Sequence, residues 1–285
     1  MSNPSHYETI ATAFQTVEIA TAVAFASPGE TALDVIISIN ESNVETPGNE
    51  FCIIRDEQKI YGYISVNFIF DDEEDKYDGP SDGQSGEYCT PISPDQIVPG
   101  TMPLLDLISL FKHHPFFFVL TRNTITHVVA FSDLDQLPVK LCLFALLMAL
   151  EAELLGIFSS INPQSYLNLL PEGRLQKAQE LCQFKYKDRF KNAPPKEQAT
   201  FILLCTTFRD KVTILTRSPD LFSALPFSSR SQAERFFVLA QDIRNQIAHS
   251  DTITKALPTP EEFDEFLVSL KSVTEAITKL RYQTR

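Results

Sequence analysis

Paired cysteines are missing from this chain. The five it has, Cys52, Cys89, Cys142, Cys182 and Cys205, are odd in number, far apart and never arranged as Cys-x-x-Cys. That spacing argues against a disulfide framework and against a zinc site, and it reads as thiols buried in a reducing compartment. The beginning, MSNPSHYETIA, lacks a basic stretch followed by an apolar run, so no secretory signal and a cytoplasmic location are expected. Long apolar runs are missing too. The most apolar one, LCLFALLMAL (Leu141 to Leu150), runs into Glu151 and Glu153 after ten residues. A membrane span needs about 20 apolar residues, so this segment is expected to be a buried helix with no membrane partner.

Positive charge is scarce in the first half. Through Pro138 there are 21 acidic and 5 basic residues, and from Val139 onward 16 acidic and 19 basic, so the net charge of −13 divides into −16 and +3. Two units of different electrostatic character are therefore expected, residues 1–138 and 139–285. The acidic half repels nucleic acid. The second half carries KYKDRFK (Lys185 to Lys191), four cations at alternate positions, which either tolerate a polyanion or solvate a helix face.

What the first half does contain is a weak internal repeat. One copy runs SPGETALDVIISI, then FCIIRDEQKIYGYISVNF; the other runs VPGTMPLLDLISLF, then FFFVLTRNTITHVVAFSDLD. Each starts at a Pro-Gly pair (Pro28-Gly29, Pro99-Gly100) and enters an amphipathic helix with Leu-Asp (Leu33-Asp34, Leu105-Asp106). Two β-rich runs follow, separated by Asp56-Glu57 in one copy and Arg122-Asn123 in the other. The expected unit is strand, helix, strand, turn, strand, present twice. The intervening DDEEDKYDGPSDGQSGEY (Asp71 to Tyr88) is expected as a loop; its oxygens suit calcium, but the EF-hand spacing is absent.

This order of elements resembles a tandem pair of CBS domains over Val17 to Pro138, with THVVAFSDLD similar to the family's closing strand and YGYISVNF in the corresponding place of the first copy. The resemblance implies a regulatory module that senses adenine nucleotides. Family members that bind adenosyl ligands carry a Thr or Ser followed three residues later by an Asp that accepts hydrogen bonds from a ribose diol. Each copy here keeps half of that signature, Ser65 with Phe68 and Asp133 with Ala130. Ser65 and Asp133 are thus the candidate ligand-binding residues, and AMP or ATP is expected to bind weakly or not at all. A shifted pair, Ser132 and Asp135, restores the spacing but leaves the register. The other reading of Asp133 is a residue at a helix start that satisfies free amides, with Ser132 as the cap.

From Val139 the strand signals stop. Helices are expected over Val139 to Ser159, Pro171 to Phe184, Lys196 to Leu215, Ser231 to His249 and Pro260 to Leu280, forming a bundle. In the fourth, Phe236, Ala240, Ile243 and Ile247 make a core stripe, with Ser229 or Ser231 as N-cap. Gln241, Asn245 and His249 line another side at four-residue spacing. Arg244 and His249 stand about 140° apart around a regular helix.

The segment RNQIAH, with Arg244, Asn245 and His249, is similar to the motif of the HEPN superfamily. The fold class that both resemblances imply is α+β: a tandem CBS-like module followed by an all-α HEPN-like bundle. In HEPN ribonucleases two protomers bring their motifs together across a dimer axis and no metal or cofactor is used, so the resemblance implies a homodimer, RNA as partner, and Arg244, Asn245 and His249 as catalytic residues. The chemistry suits the residue types. Attack of a 2′-hydroxyl on the adjacent phosphorus needs a proton acceptor that works near neutral pH, and imidazole serves. Charge developing on the phosphoryl oxygens is matched by a planar guanidinium. The alternative is a non-catalytic, nucleotide-responsive binding or scaffold protein, in which the same three residues bond carbonyls at a helix end and join protomers. The remaining histidines, His6, His113, His114 and His127, have no such company.

Overall fold

The strand FCII of the first repeat is apolar at every position because both of its faces are covered. In the computed structural model, which describes residues 6–45, 50–57, 59–66 and 83–283, Cys52 and Ile54 pack toward a helix with Val35, Ile36 and Ile39. Phe51 and Ile53 point the other way, toward Phe118 and Val128 of the second repeat. The period of two along a strand assigns each residue its face.

The chain divides into two compact units, Phe14–Pro138 and a second made of Met1–Ala13 with Val139–Arg285. One of the two boundaries falls after Pro138. The N-terminal α1 (His6–Ala11) groups with the helical unit instead of the sheet unit, and its Tyr7 is buried. One short helix with a single large buried ring gave no sign of this in the sequence.

Within the sheet unit the chain runs β1 (Thr21–Ala22), β2 (Ala24–Ala26), α2 (Ala32–Glu45), β3 (Phe51–Arg55), β4 (Ile60–Ser65) and a short α3 (Ser85–Tyr88). It continues through β5 (Ile97–Pro99), α4 (Leu104–Leu110), β6 (Phe116–Thr121) and β7 (Thr124–Ala130). Each repeat makes its own sheet. In the first, β2 lies parallel to β3 and β3 antiparallel to β4; in the second, β5 lies parallel to β6 and β6 antiparallel to β7. The parallel pairs are those joined by a helical crossover, as the connection requires. β1 adds to β7, so the second sheet reads β1-β7-β6-β5. The hairpin at Arg122-Asn123 has φ of 49° and 65°, the double positive φ of a type I′ turn, whose twist matches that of its strands. Phe51, Tyr63, Phe116 and Phe118 fill the space between the two sheets, with Phe51 and Phe116 centroids 4.4 Å apart. Phe68 and most of the acidic stretch from Asp71 lie outside the described residues.

The helical unit contains α5 (Leu137–Ser160), α6 (Pro163–Leu167), α7 (Glu172–Asn192), α8 (Pro195–Leu204), α9 (Phe208–Arg217), α10 (Pro219–Ser223), α11 (Arg230–Ala248) and α12 (Pro260–Gln283). The single helix expected over Lys196 to Leu215 is two. Thr207 ends the run by capping α9: its hydroxyl accepts from the Asp210 amide, and Asp210 accepts in return from the Thr207 amide at 2.9 Å. This reciprocal pair fixes a new helix start. The helix α5 is longer than the apolar run that announced it, because LLGIF continues past Glu153. With 24 residues and a mean hydropathy of 2.2 it is long and apolar enough to cross a membrane by length and composition, yet 50% of that window is buried inside the protein. Its two acids are paired within the unit: Glu153 accepts from Arg281 of α12 at 3.0 Å, and Glu151 meets two cations. Around it, Phe236 of α11 stacks on Phe266 of α12 at 5.7 Å, each such ring contributing about 2–3 kcal/mol of burial.

Candidate functional site

The helix carrying Arg244, Asn245 and His249 is fixed at both ends by local chemistry. At its start the Ser229 hydroxyl accepts from the Gln232 amide at 3.2 Å, satisfying one of the free donors. At its end His249 is the C-cap, and Ser250 follows with φ 59°. The Asp251 amide donates to the Gln246 carbonyl at 2.9 Å and the Ser250 amide to the Ile247 carbonyl at 3.1 Å. This is the two-bond Schellman closure, here with serine in the left-handed position that glycine usually takes. The backbone of His249 is thereby held, its amide donating to Asn245 and Gln246.

The side chains divide by face. Phe236, Ala240 and Ile243 are buried, while Ile247 of the expected stripe is half-buried near the helix end. Asn245 and His249 are exposed, and among the described residues neither side chain has a hydrogen-bond partner. Asp251, beside them, is held below the usual carboxylate range by the Thr252 amide and by Lys255, 3.7 Å away.

Arg244 turns inward. Its Nη2 lies 3.4 Å from Oε2 of Glu151 on α5, and Oε1 of the same carboxylate takes Nζ of Lys211 on α9 at 3.0 Å. Lys211 is 3% exposed and also donates to the Thr206 carbonyl at 2.7 Å. The Arg244 contact is an ion pair without hydrogen-bond geometry: Arg244 Nε and Glu151 Oε2 are both buried and unbonded. The Arg244 side chain, 32% exposed, is anchored by charge, with its Nε buried. No contact within the chain joins Arg244 to His249 among the described residues, which accords with their angular separation. Glu151 and Lys211 were not singled out from the sequence; the only sign was a glutamate closing an apolar run.

Along the first half and middle of α11, α9 and α11 form an open groove of about 440 Å³ lined by Arg209, Thr213, Glu234, Val238, Gln241 and Asp242. Gln241 connects it to Asn245 and His249 along one side of α11.

The two residues assigned to ligand in the sheet unit have different fates. Ser65 ends β4, buried and paired with Phe51. Asp133 lies in the 3-10 turn Phe131–Asp135, where Oδ2 accepts from the Ala130 amide at 2.8 Å and Oδ1 from Gln136 Nε2 at 3.0 Å. It works as the capping acid of that turn. Burial pushes its carboxyl above the usual range; the Ala130 and Gln136 bonds pull it down, and the nearby Glu50 pushes it further up. The amide of Val66, next to Ser65, donates to the Glu50 carbonyl. Ser132 is exposed. Of the other histidines, His114 pairs with Asp95 at 3.0 Å, His127 bonds Thr126 at 2.7 Å and His113 is exposed; the His6 side chain lies outside the described set.

All five cysteines are free, and burial pushes Cys52, Cys142 and Cys182 up to about 12, which keeps them as inert thiols. No group of three or more His, Cys, Asp or Glu among the described residues forms a metal-holding cluster. Comparison with family models, with curated proteins and with solved structures finds no match to this chain, so the reading of the site rests on its own residues.

Proposed function

We propose that this protein is a metal-independent ribonuclease of the HEPN kind, a cytoplasmic homodimer through its helical unit, controlled by a CBS-like pair in its sheet unit. The observation that supports it most is the state of the three motif side chains. His249 and Asn245 stand exposed and unbonded at a capped helix end, and Arg244, one residue before Asn245, is partly exposed beside Glu151. His249 accepts the proton of an RNA 2′-hydroxyl as its oxygen attacks the adjacent phosphorus. The bond from phosphorus to the 5′-oxygen breaks and that oxygen takes up a proton, leaving a 2′,3′-cyclic phosphate and a 5′-hydroxyl. Arg244 matches the charge on the phosphoryl oxygens, and Asn245 orients the imidazole or the phosphate. Because Arg244 and His249 face apart in one chain, a second copy completes the site.

The sheet unit supports a regulatory reading by its two strand-helix-strand-strand halves packed sheet to sheet. Both Asp133 oxygens are engaged and Glu50 lies near, so a ligand other than AMP or ATP, or a protein, is the regulator on this reading.

One observation favours the scaffold reading: Arg244 shares Glu151 with buried Lys211, as a structural arginine would. The test is purified protein incubated with labelled single-stranded RNA in chelator, alongside His249→Ala and Arg244→Ala. A fall in rate of about 10²-fold or more is expected in each variant. Activity that needs metal, or that survives both substitutions, rules out this site.

A further inference from the structure

The second half of α7 combines an exposed aromatic ring with a run of exposed cations. Phe184 is 77% exposed and Leu181 50% exposed, while the buried residues of the helix are Ala178 and Cys182 on another side. Next to Phe184, Lys185, Lys187, Arg189 and Lys191 are all exposed, and among the described residues none of them has a carboxylate partner. The one acid within the run is Asp188, also exposed, in a chain whose net charge is −13. Lys187 has φ 36° and ψ −113°, breaking the helix in the middle of the cations, a conformation that costs free energy and is most often found where function requires it. Behind the cations Tyr186 packs on Phe201 of α8, ring centroids 4.8 Å apart, with the Arg189 guanidinium 6.0 Å over Phe201. The run is therefore attached to a fixed base.

We propose that the second half of α7 binds single-stranded RNA, with phosphates on Lys187 and Lys191 and a base stacked on Phe184, three residues before Lys187 on the same side of the helix. Exposed cations without a carboxylate partner complement a phosphate chain, and an exposed aromatic ring complements an unstacked base; together they are what sequence-tolerant single-strand binders use. A lipid surface fits less well, because two apolar side chains give too little area to seat a helix among headgroups. The proposal rests on the ribonuclease reading only for the choice of RNA as the polyanion, and binding here is separable from cleavage at His249.

The probe is a labelled 2′-O-methyl oligouridylate, which lacks the attacking hydroxyl, bound to the full chain and followed by fluorescence anisotropy over a salt series. Lys187→Ala with Lys191→Ala should reduce the slope of log affinity against log salt by roughly 1.4, at about 0.7 per phosphate contact. Phe184→Ala should weaken binding by about 5- to 150-fold and leave the slope unchanged. Lys187→Glu serves as a second variant that keeps the backbone and reverses the charge, and circular dichroism confirms that each variant is folded. Unchanged affinity and slope in all three, or binding to phosphatidylserine vesicles with none to the oligonucleotide, would overturn the proposal. If the variants lose binding but wild type does not cut RNA, the face stands and the ribonuclease reading falls. If RNA is cut and the variants bind normally, the reverse holds.

Discussion

Asp133 in the sheet unit and Asp210 in the helical unit do the same local job with opposite electrostatic outcomes. Each stands at the third position of a helical turn and accepts from the backbone amide three residues earlier, at 2.8 and 2.9 Å. Burial pushes both carboxyls up. For Asp210 the two-pronged bond from Arg174, at 2.7 and 2.9 Å, together with Thr207, overcomes burial and leaves the group below the usual range. For Asp133 no cation among the described residues offsets burial, Glu50 adds to its effect, and the group ends above the usual range. The charge split read from the sequence, −16 against +3, is thus expressed at the level of single acids. The sheet unit has few cations to spare for an anion. The helical unit has cations without a carboxylate partner along α7, among the described residues.

The strongest way to break this comparison is to remove the acid that the helical unit places between two of its cations. Glu151→Ala leaves Lys211 buried and unpaired and frees Arg244; it should cost about 3–5 kcal/mol in urea or thermal unfolding, with Glu151→Gln intermediate. A loss under about 1 kcal/mol would mean that the triad does not hold α5, α9 and α11 together. The comparison of the two aspartates is sharpened by pH. A carboxyl held low contributes stability above its ordinary value near 4 and loses it as pH falls through the lowered value; one held high loses stability as pH rises from about 4 through the raised value. Asp210→Asn should therefore cost more at pH 7 than at pH 3, by about 1–2 kcal/mol once partial exposure of Arg174 is allowed for. Asp133→Asn should shift in the variant's favour as pH rises from 4 to 7. Slopes of the same sign for both variants would refute the contrast. The smallest effect is expected at the helix end: Ser250→Gly relieves the φ of 59° and should stabilise by about 0.5–1 kcal/mol, read as a small rise in melting temperature.

Much of the fold was legible because its signals are local. The short apolar run FCII, the Arg122-Asn123 turn and the Pro-Gly pairs all act within a few residues, and the structure sets β3, the β6-β7 hairpin and both crossovers where these signals lie. Ser229 as cap and the stripe Phe236, Ala240, Ile243 follow from helical spacing alone. The break at Thr207 is written in the sequence as a Thr-x-x-Asp box, masked by apolar residues on either side that keep a helical rhythm. The extension of α7 beyond Phe184 was hidden by its cations, which carry no periodic apolar signal. At the site, the outward side of Asn245 and His249 was readable from the wheel. The partnership of Arg244 with Glu151 and Lys211 was not, since it joins three helices far apart in sequence, and neither was the use of both Asp133 oxygens in capping, which needs the turn to be formed.

The central claim is that the helical unit cuts RNA through a 2′-hydroxyl, using His249 and no metal. It is tested most directly by giving the intact protein, in chelator, a single-stranded RNA and the same sequence with 2′-deoxyribose, then identifying the ends. The account predicts that the RNA alone is cut, leaving 2′,3′-cyclic phosphate and 5′-hydroxyl ends, and that His249→Ala abolishes the products. Cleavage of the deoxy strand, 5′-phosphate ends, or unchanged products from His249→Ala would contradict it.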